Sequence, residues 1–320
     1  MKKSVSVLGI VLVLTLFLSS CGSQSTNPSD TAAALKQIQT GTQGIVITPL
    51  ANFPPPTLFD QNELVAILDV QNKGSHTLQP QECFVQINGF DTNIVTGGFD
   101  LPQSCAQGIS QLEGKSLYNL QGGSNQLEFH SPNVILPEGV YEYNPKLNVV
   151  TCYNYHTTAS PAVCIDPKVY QITPEQKACD YRKSVGVGGG QGAPVAVTGV
   201  NVEMVGGAGG LSRAIFEITV ANQGIGRVLS PYTDLRSCTD PNLQYTDVDK
   251  VGYSVRLSGG GLVDCKPGDG FVRLNNKQGK IICSFSIPQA TAYETPLLID
   301  LDYNYLQNQQ MPLRIIKTPQ

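Results

Sequence analysis

The stretch LLIDLDYNY at residues 297–305 repeats the stretch LNVVTCYNY at residues 147–155, with an offset of 150 positions. Two other pairs keep this offset: AIFEITVANQG at 214–224 matches LVAILDVQNKG at 64–74, and PLRI at 312–315 matches AVCI at 162–165. Three separate segments with a single offset indicate an internal duplication. The two halves, of about 130–140 residues each, have an ordinary size for a domain.

Both halves consist of short apolar stretches, rich in β-branched residues, that alternate with turns of Gly, Pro, Asn and Asp. ELVAILDVQ at 63–71 and KIICSFSI at 280–287 are examples. Strands at this spacing favour β-sandwiches over α/β folds, and no helical periodicity of useful length follows residue 43. The sequence therefore predicts an all-β fold with two tandem β-sandwich domains, at residues 44–183 and 193–320.

Each repeat ends a predicted strand with Asn-x-Gly, at residues 72–74 and 222–224. Asn and Gly tolerate left-handed backbone angles, which is the expected reason for their presence. Further along, the alternation of a strand places Tyr303 and Tyr305 on one face. We expect both tyrosines to pack at the core or its rim with their hydroxyls at the edge, and ligand stacking is the alternative.

The opposite face of that strand carries Asp300, Asp302 and Asn304, a spacing that resembles the start of a calcium-binding loop. An EF-hand needs glycine at the sixth position, where this chain has Tyr305. The equivalent positions of the first repeat are not acidic. The exposed face of a strand is the simpler interpretation, and no metal site is predicted.

The first 20 residues have the layout of an export signal, with Lys2 and Lys3, an apolar core at 5–18 and then two serines. The core is too short for a helix that spans a bilayer, which takes about 20 residues. LSSC at residues 18–21 resembles the lipobox of prokaryotic lipoproteins. The resemblance implies that Cys21 carries diacylglycerol, becomes the first mature residue and anchors the chain to a membrane. An ordinary signal peptide with an incidental cysteine is the alternative.

After Cys21, the segment up to residue 43 is small and polar, which is typical of a tether. As a flexible coil it spans about 26 Å, with room for one or two helical turns around residues 32–38. Residues 184–192 are rich in glycine and are expected to form a linker or long turn between the domains. A phosphate-binding loop is the alternative there, but neither Gly-Lys-Ser/Thr nor a helix follows.

The charge of the chain limits the class of partner. There are 21 basic and 25 acidic residues, and removal of residues 1–20 leaves 19 basic ones and a net charge of −6. A surface that binds nucleic acid needs clustered Lys and Arg, and this sequence has no basic block. Charged residues are only 14% of the chain, against about 25% in typical soluble domains. We therefore expect a polar, weakly charged surface and no nucleic-acid partner.

Eight cysteines remain besides Cys21, and an even number in an exported chain indicates disulfides. They are Cys83, Cys105, Cys152, Cys164, Cys179, Cys238, Cys265 and Cys283. Cys83 with Cys105, and Cys238 with Cys265, occupy corresponding places in the two repeats. Each such bridge is worth roughly 3 kcal/mol in the chain-entropy model.

The other four cysteines allow two arrangements. Cys152 and Cys164 flank a predicted hairpin near Thr158, so they are candidates to face one another. Cys164 with Cys179 is the rival pairing. Either choice leaves one cysteine over for Cys283.

The same region contains the ligand types of a Cys3His zinc site, in Cys152, His156, Cys164 and Cys179. Structural zinc sites use closer pairs of cysteines, and an oxidising location favours disulfides, so zinc is not predicted. Redox-active cysteines normally form Cys-x-x-Cys, which this chain lacks.

The chain has three histidines, His76, His130 and His156, as candidates for acid–base chemistry. Neither a Gly-x-Ser-x-Gly nor a His-Glu-x-x-His motif accompanies them. We therefore predict neither a catalytic site nor a cofactor.

A family resemblance adds to these inferences. The strands that run into Asn-x-Gly resemble Ig-like domains of the CARDB type, which occur on many prokaryotic surface proteins. A resemblance to uncharacterised exported proteins of uncultivated archaeal lineages is carried by GTQG (41–44), FPPP (53–56), GKSLYN (114–119), CYNYHTTASPAVCIDP (152–167) and GQGAPVAV (190–197). These segments cover most of the first domain and the linker. The resemblance implies two tandem immunoglobulin-like sandwiches and an exported location, and no activity.

We therefore expect a non-catalytic protein that is lipid-anchored at the outer face of the cytoplasmic membrane or elsewhere in the cell envelope. The expected role is adhesion or protein binding, with a surface or envelope protein as partner. One alternative is a structural subunit of an envelope assembly or filament, joined by strand addition or side-on packing. The other is a lipoprotein that presents a small ligand to a membrane complex.

Overall fold

The computed structural model describes residues 28–172, 176–206, 212–236 and 243–319. Within these residues the fold is all-β, as predicted, with one α-helix, α1 (Pro28–Ile38), and a 3₁₀ turn at Tyr245–Asp247. The predicted export signal, the predicted anchor Cys21 and the candidate disulfide residue Cys238 lie outside the described residues.

The described residues form nineteen strands, nine in the first half of the chain and ten in the second. Those of the first half are β1 (Ile45–Pro49), β2 (Thr57–Phe59), β3 (Leu64–Asn72), β4 (Cys83–Asn88), β5 (Gln103–Ser104), β6 (Ser124–Ser131), β7 (Glu142–Tyr143), β8 (Lys146–Ala159) and β9 (Ala162–Ile165). Those of the second half are β10 (Ser184–Val185), β11 (Val195–Gly206), β12 (Ser212–Asn222), β13 (Arg227–Leu229), β14 (Lys250–Leu257), β15 (Gly261–Lys266), β16 (Phe271–Arg273), β17 (Gln278–Ile287), β18 (Tyr293–Pro312) and β19 (Arg314–Ile316).

The strands arise from the period of two in the sequence. In β3, Leu64, Ala66, Leu68 and Val70 are fully buried, and the residues between them are partly exposed. Side chains of a strand point alternately to its two faces, so such a segment packs one face on a core. Burial of each large aliphatic side chain stabilises the fold by about 1.5–3 kcal/mol.

The strands form several sheets in layers, which is consistent with a β-sandwich. One sheet of the first half has the order β1-β3-β6, and one of the second half has the order β10-β11-β12-β17-β15. A third sheet, with the order β16-β14-β18-β8-β4-β5, contains strands of both halves. A smaller sheet, β2-β19-β7, closes one end. One continuous cluster of buried side chains connects these layers across the two halves.

The two halves meet where β8 pairs with β18, antiparallel over fourteen residue pairs from Lys146–Pro312 to Ala159–Ile299. Asn154 lies directly opposite Asn304, its own equivalent in the repeat, and donates a hydrogen bond of 2.9 Å to it. Because the strands are antiparallel and the offset is 150, a local twofold axis passes between these two asparagines. The predicted domain limits at 183 and 193 remain a prediction, since a continuous sheet joins the halves.

The segments predicted as tether and linker are ordered where the structure describes them. Residues 28–38, within the predicted tether, form α1, whose sequence contains strong helix formers such as Ala33, Ala34 and Leu35. Thr40 then forms a β-bridge with Gly190 of the glycine-rich segment. Gln191 in that segment is buried. The glycine-rich segment is therefore packed against the fold and does not form a free hinge.

Four tyrosines surround the local axis on the inner face of the shared sheet. Tyr153, Tyr155, Tyr303 and Tyr305 are all fully buried, and neighbouring ring centroids lie 5.6–6.4 Å apart. We call these four residues the tyrosine quartet. Such aromatic pairs contribute about 0.5–1.5 kcal/mol each beyond the burial of their area. Burial raises the pKa of all four phenols, that of Tyr305 to about 12, so the hydroxyls keep their protons.

The buried hydroxyls are hydrogen-bonded in the same way in both repeats. Tyr155 donates to Asn72 Oδ1 at 3.2 Å, and Tyr305 donates to Asn222 Oδ1 at 2.9 Å. Tyr305 also accepts the backbone N–H of Gly226 at 2.9 Å, and His76 makes the equivalent bond to Tyr155 at 3.3 Å. A buried polar group is costly without a partner, so these bonds define how the Asn-x-Gly turn sits on the sheet.

These contacts explain Asn-x-Gly, and the expected explanation through left-handed angles is wrong. Neither Gly74 nor Gly224 has a positive φ. A Cβ at Gly74 would collide with the hydroxyl of Tyr155, and one at Gly224 with that of Tyr305. The asparagine accepts the tyrosine hydroxyl, and glycine leaves the space for it. The tyrosines themselves are core residues with no face open to a ligand.

We expect Tyr305→Phe to lower the free energy of unfolding by about 1–3 kcal/mol, because buried groups of Asn222 and Gly226 lose a partner. Urea titration followed by circular dichroism measures the change. Tyr118→Phe, at a fully exposed position, is the matched control and is expected to unfold at the wild-type urea concentration. Equal midpoints for both variants would contradict the role assigned to the quartet.

Three disulfides join described residues: Cys83–Cys105, Cys164–Cys179 and Cys265–Cys283. The first pairing is confirmed, and the second is the rival of the two arrangements left open for Cys164. Cys152 is disulfide-bonded as well. Disulfides in this number indicate an oxidising, exported environment.

Two expected pairings are wrong for reasons of strand geometry. No hairpin bends near Thr158, because β8 continues to Ala159 and the following β9 pairs with β18 instead. Cys164 is thereby carried away from Cys152. In the second half, Cys265 of β15 lies directly opposite Cys283 of β17, with their Cα atoms 4.1 Å apart. This excludes both the Cys238–Cys265 bridge and the use of Cys283 for a cysteine of the first half.

We expect Cys152 to be linked to Cys238 when peptides of the unreduced protein are mapped by mass spectrometry. Leu235 and Leu243, on either side of Cys238 in the sequence, both pack against the small apolar cluster that contains Cys152. The Arg236 guanidinium lies 4.9 Å from the ring of Phe84, and Phe84 is directly opposite Cys152 in the sheet. A free Cys238 thiol, or a peptide that joins Cys152 to another cysteine, would contradict this pairing.

Candidate functional site

The outer face of the shared sheet brings together residues that the sequence singled out. His156 of β8 lies between Asp300 and Asp302 of β18: its Nδ1 is 2.6 Å from Asp302 Oδ1, and its Nε2 is 3.4 Å from Asp300 Oδ1. Arg256 of β14 donates to Asp300 Oδ2 at 2.8 Å, and Thr158 of β8 donates to Asp300 Oδ1 at 3.0 Å. We call these five residues the outer polar cluster.

The charges of this cluster stabilise one another. The hydrogen bond with Asp302 raises the pKa of His156, and together with the charges of both carboxylates it outweighs the opposing effect of partial burial. Partial burial opposes the ionisation of Asp300, but hydrogen bonds from Thr158 and Arg256, with the positive charges beside it, lower the pKa of its carboxyl. The cluster is thus an ion network in which an imidazole with a raised pKa lies between two carboxylates.

Thr158, His156 and Asp302 stand in the order of a nucleophile, base and orienting acid. His156 Nε2 is 3.1 Å from Thr158 Oγ1. A base must have a free lone pair, however, and the raised pKa of His156 favours protons on both of its nitrogens. Thr158 also donates its own proton to Asp300. In this arrangement the Thr158 proton is therefore directed to Asp300 and not to His156.

The other two histidines have different surroundings. The His76 ring lies 5.9 Å from that of His156, and burial, aided by the His156 charge, lowers the pKa of His76. His130 lies on β6, with its Nε2 3.2 Å from Glu63 Oε2, and is not brought to the cluster. Sequence motifs did not single out Thr158 or Arg256. Their only signal was alternation along β8 and β14, which puts them on the outer face.

The side chains considered as metal ligands are bonded to other protein groups. Cys164 is bonded to Cys179, and Asn304 donates to the carbonyl oxygen of Thr233 at 2.7 Å. Asp300 and Asp302 are paired within the outer polar cluster. In the part of the chain that the structure describes, no group of three or more His, Cys, Asp or Glu side chains has the geometry to hold a metal ion.

A groove with a volume of about 390 Å³ lies on the other face of the shared sheet, where the two halves meet. We call it the junction groove. Its walls and floor come from both halves of the chain: one wall is β1 with Thr42 and Gln43, the floor is Val149, Thr151 and residues 307–309, and the far wall is the turn at 223–225. The volume is within the range of ligand pockets, which is about 300–1,000 Å³.

The lining of the junction groove is uncharged. Apolar side chains of β1 and of Val149 alternate with the amides of Gln43, Gln223 and Gln307. Ile225, at the rim, is 90% exposed. An apolar surface with several neutral donors and acceptors suits a neutral polar ligand and gives no attraction to phosphate or other anions. No sequence motif signals this groove, because its residues lie far apart in the chain.

Comparisons of the sequence with known proteins assign no family to this chain. No protein-family model matches the chain, and none of the curated proteins is similar to it in sequence. In the described ranges, no helix is long and apolar enough to cross a membrane.

We expect the stability contributed by His156 to depend on pH. Its folded pKa is raised above the unfolded value of about 6.5, so its contribution is full below that value and is lost as pH rises through the folded pKa. His156→Gln should therefore lower the free energy of unfolding by about 1 kcal/mol at low pH, as for a partly screened ion pair. Urea titrations at pH 5.5 and pH 9 measure this difference.

The matched control for this experiment is His130→Gln, which removes a half-exposed histidine away from the cluster. The difference between wild type and His156→Gln should shrink at pH 9, while His130→Gln stays close to wild type. A His156→Gln effect that is constant between the two pH values would exclude the ion network as its source.

Proposed function

We propose that this chain is a non-catalytic, lipid-anchored protein-binding module that holds a partner in the junction groove at the outer surface of the cell. The observation that carries the proposal is the uncharged groove built from both halves of the chain. Its floor is the pairing of β8 with β18, so the shape of the groove depends on the rigid part of the fold. A preorganised groove with neutral amides binds a partner without the cost of ordering its own walls.

The proposed location rests on two independent features. The disulfides indicate an oxidising, exported environment. The sequence LSSC at residues 18–21 resembles a lipobox, and the two acyl chains of a diacylglycerol would hold a protein stably at a membrane, where one chain is marginal. Cys21 is therefore the proposed site of the anchor, and the folded part of the chain is proposed to lie outside the cytoplasm.

We also propose that each half is an immunoglobulin-like sandwich of the CARDB type. Support comes from the repeated bond of a buried tyrosine in β8 or β18 to the asparagine of Asn-x-Gly. This bond ties the end of one sheet to the facing sheet in both halves. The CARDB resemblance is carried by the strands that run into Asn-x-Gly, and these bonds hold the asparagine of that segment in both halves.

The proposal is tested by photo-crosslinking on intact cells of the source organism. A benzoylphenylalanine at Ile225, on the rim of the groove, is expected to give one adduct with a fixed protein partner. The matched control has the same residue at Tyr141, which is 77% exposed and lies outside the groove. This control is expected to give no such adduct.

The other outcomes count against the proposal. An adduct between two copies of this chain would favour the structural subunit, and no protein adduct from Ile225 would favour a small ligand. In the same cells, Cys21→Ser should move the chain from the membrane fraction to the soluble fraction. Retention of Cys21→Ser in the membrane fraction would contradict the anchor.

A further inference from the structure

The free edge of β1 forms one wall of the junction groove. In the β1–β3 ladder, Lys73 donates its N–H to the Gly44 carbonyl and Leu50 donates to the Ile67 carbonyl, so the even-numbered residues of β1 bond to β3. In an antiparallel pair the intervening residues point their N–H and C=O groups away from the partner strand. The backbone groups of Ile45 and Ile47 therefore point away from β3; Ile45 is buried, and Ile47 is partly exposed beside the groove.

The equivalent edge in the second half is closed by the chain itself. The Val195 N–H donates to the Tyr303 hydroxyl at 3.2 Å, and the Val195 carbonyl accepts from Thr157 Oγ1 at 2.8 Å. The side-chain amide of Gln191 bonds to both groups of Val197: its Oε1 accepts the N–H at 2.9 Å, and its Nε2 donates to the C=O at 3.2 Å. Gln191 thus supplies an amide where a neighbouring strand would supply its backbone.

In the first half only the first of these contacts has an equivalent, because the Ile45 N–H is hydrogen-bonded to the Tyr153 hydroxyl. The repeat counterpart of Thr157 is Gln307, which donates to the Tyr153 hydroxyl at 3.1 Å and not to the Ile45 carbonyl. The counterpart of Gln191 is Gly41, which has no side chain. Among the described residues, none bonds to the Ile45 carbonyl or to the N–H and C=O of Ile47. A row of unpaired backbone groups of this kind is a template for another strand.

We propose that the junction groove binds an extended, uncharged peptide segment of a partner protein by strand addition to β1. The segment exchanges both hydrogen bonds with Ile47, as the Gln191 amide does with Val197 in the second half. The inference rests on the proposed function of the groove and names the chemistry of the partner. Main-chain bonds give affinity in this mode, and the pockets for alternate side chains give specificity.

The shape of the groove decides between an isolated segment and the edge of another sheet. The turn at 223–225 stands on the far side of the groove from β1. An edge strand of a second copy would bring its own sheet with it, whereas an isolated segment needs only the groove, so the isolated segment is the occupant that we propose. Pro49 has no N–H, so the ladder ends after Ile47 and the segment that is paired is short.

The first experiment selects linear decapeptides from a random phage library against the full chain. Uncharged sequences are expected to be enriched and to bind as free peptides. Ile47→Pro removes the N–H that faces the groove and leaves the bonds of β1 to β3 intact, because proline is tolerated on such an edge. We expect binding to this variant to be about tenfold weaker or more, since a peptide carbonyl loses its donor.

Ile47→Ala is the matched control, because it loses the same side chain but keeps the N–H. It should bind more tightly than Ile47→Pro, with a similar melting temperature. A test on the wild-type chain needs no folded variant: N-methylation of the peptide at residues that face β1 should abolish binding, and methylation at the intervening residues should not. Equal binding by both variants, or equal effects of both methylation patterns, would overturn strand addition.

The remaining outcomes also test the proposal of strand addition. Enrichment of charged peptides, or of none, overturns the proposal, and so does self-association that is lost in Ile47→Pro. Binding of an oligosaccharide on a glycan array, unchanged in Ile47→Pro, would assign the groove to a sugar instead. If the Ile225 crosslink persists in Ile47→Pro, the groove binds a protein in another way; if there is no crosslink at all, the proposed function itself fails.

Discussion

The antiparallel pairing of β8 with β18 is the interaction on which the rest of the molecule depends. It joins the two halves into one sheet and buries the tyrosine quartet around a local twofold axis. The quartet contributes aromatic packing, and its hydroxyls hold the Asn-x-Gly turns of both halves through equivalent bonds. Each of these buried hydroxyls costs free energy without its partner, so the sheet, the turns and the angle between the layers are determined together.

The duplicated halves differ most on the two faces of this pairing. On the outer face, His156 and Asp302 form part of an exposed ion network, while their counterparts Leu306 and Cys152 belong to an apolar cluster covered by Leu235 and Leu243. On the inner face, Gln191 closes the edge of β11, while Gly41 leaves the edge of β1 open. The same backbone plan therefore has one strand edge that is closed by side chains and one that is not, and a few side chains decide between them.

Two disulfides hold segments at other edges of the sheets, away from β1. The Cys83–Cys105 disulfide holds the segment that follows β5 to β4. Gln103 of β5 donates to β6, and Asn125 of β6 donates to the carbonyl of Cys105. Strand β6 is the edge of the β1-β3-β6 sheet opposite to β1. Cys265–Cys283 fixes β15, which also carries a bulge, to β17. Covered, bulged or covalently held edges resist unwanted strand pairing. The edge of β1 instead lines the junction groove, and the N–H and C=O of Ile47 have no hydrogen-bond partner among the described residues.

The sequence by itself determined the all-β class, the duplication and most strands, because the period of two and the turn residues are local signals. It also singled out Tyr303, Tyr305 and the Asn-x-Gly turns, although it assigned the glycines to backbone angles when they serve the approach of a hydroxyl. Only the tertiary structure decided the disulfide partners, the outer polar cluster and the junction groove. These depend on which strands become neighbours, and the partner of a residue across a sheet can lie far from it in the sequence, as Pro312 does from Lys146, which no local pattern records.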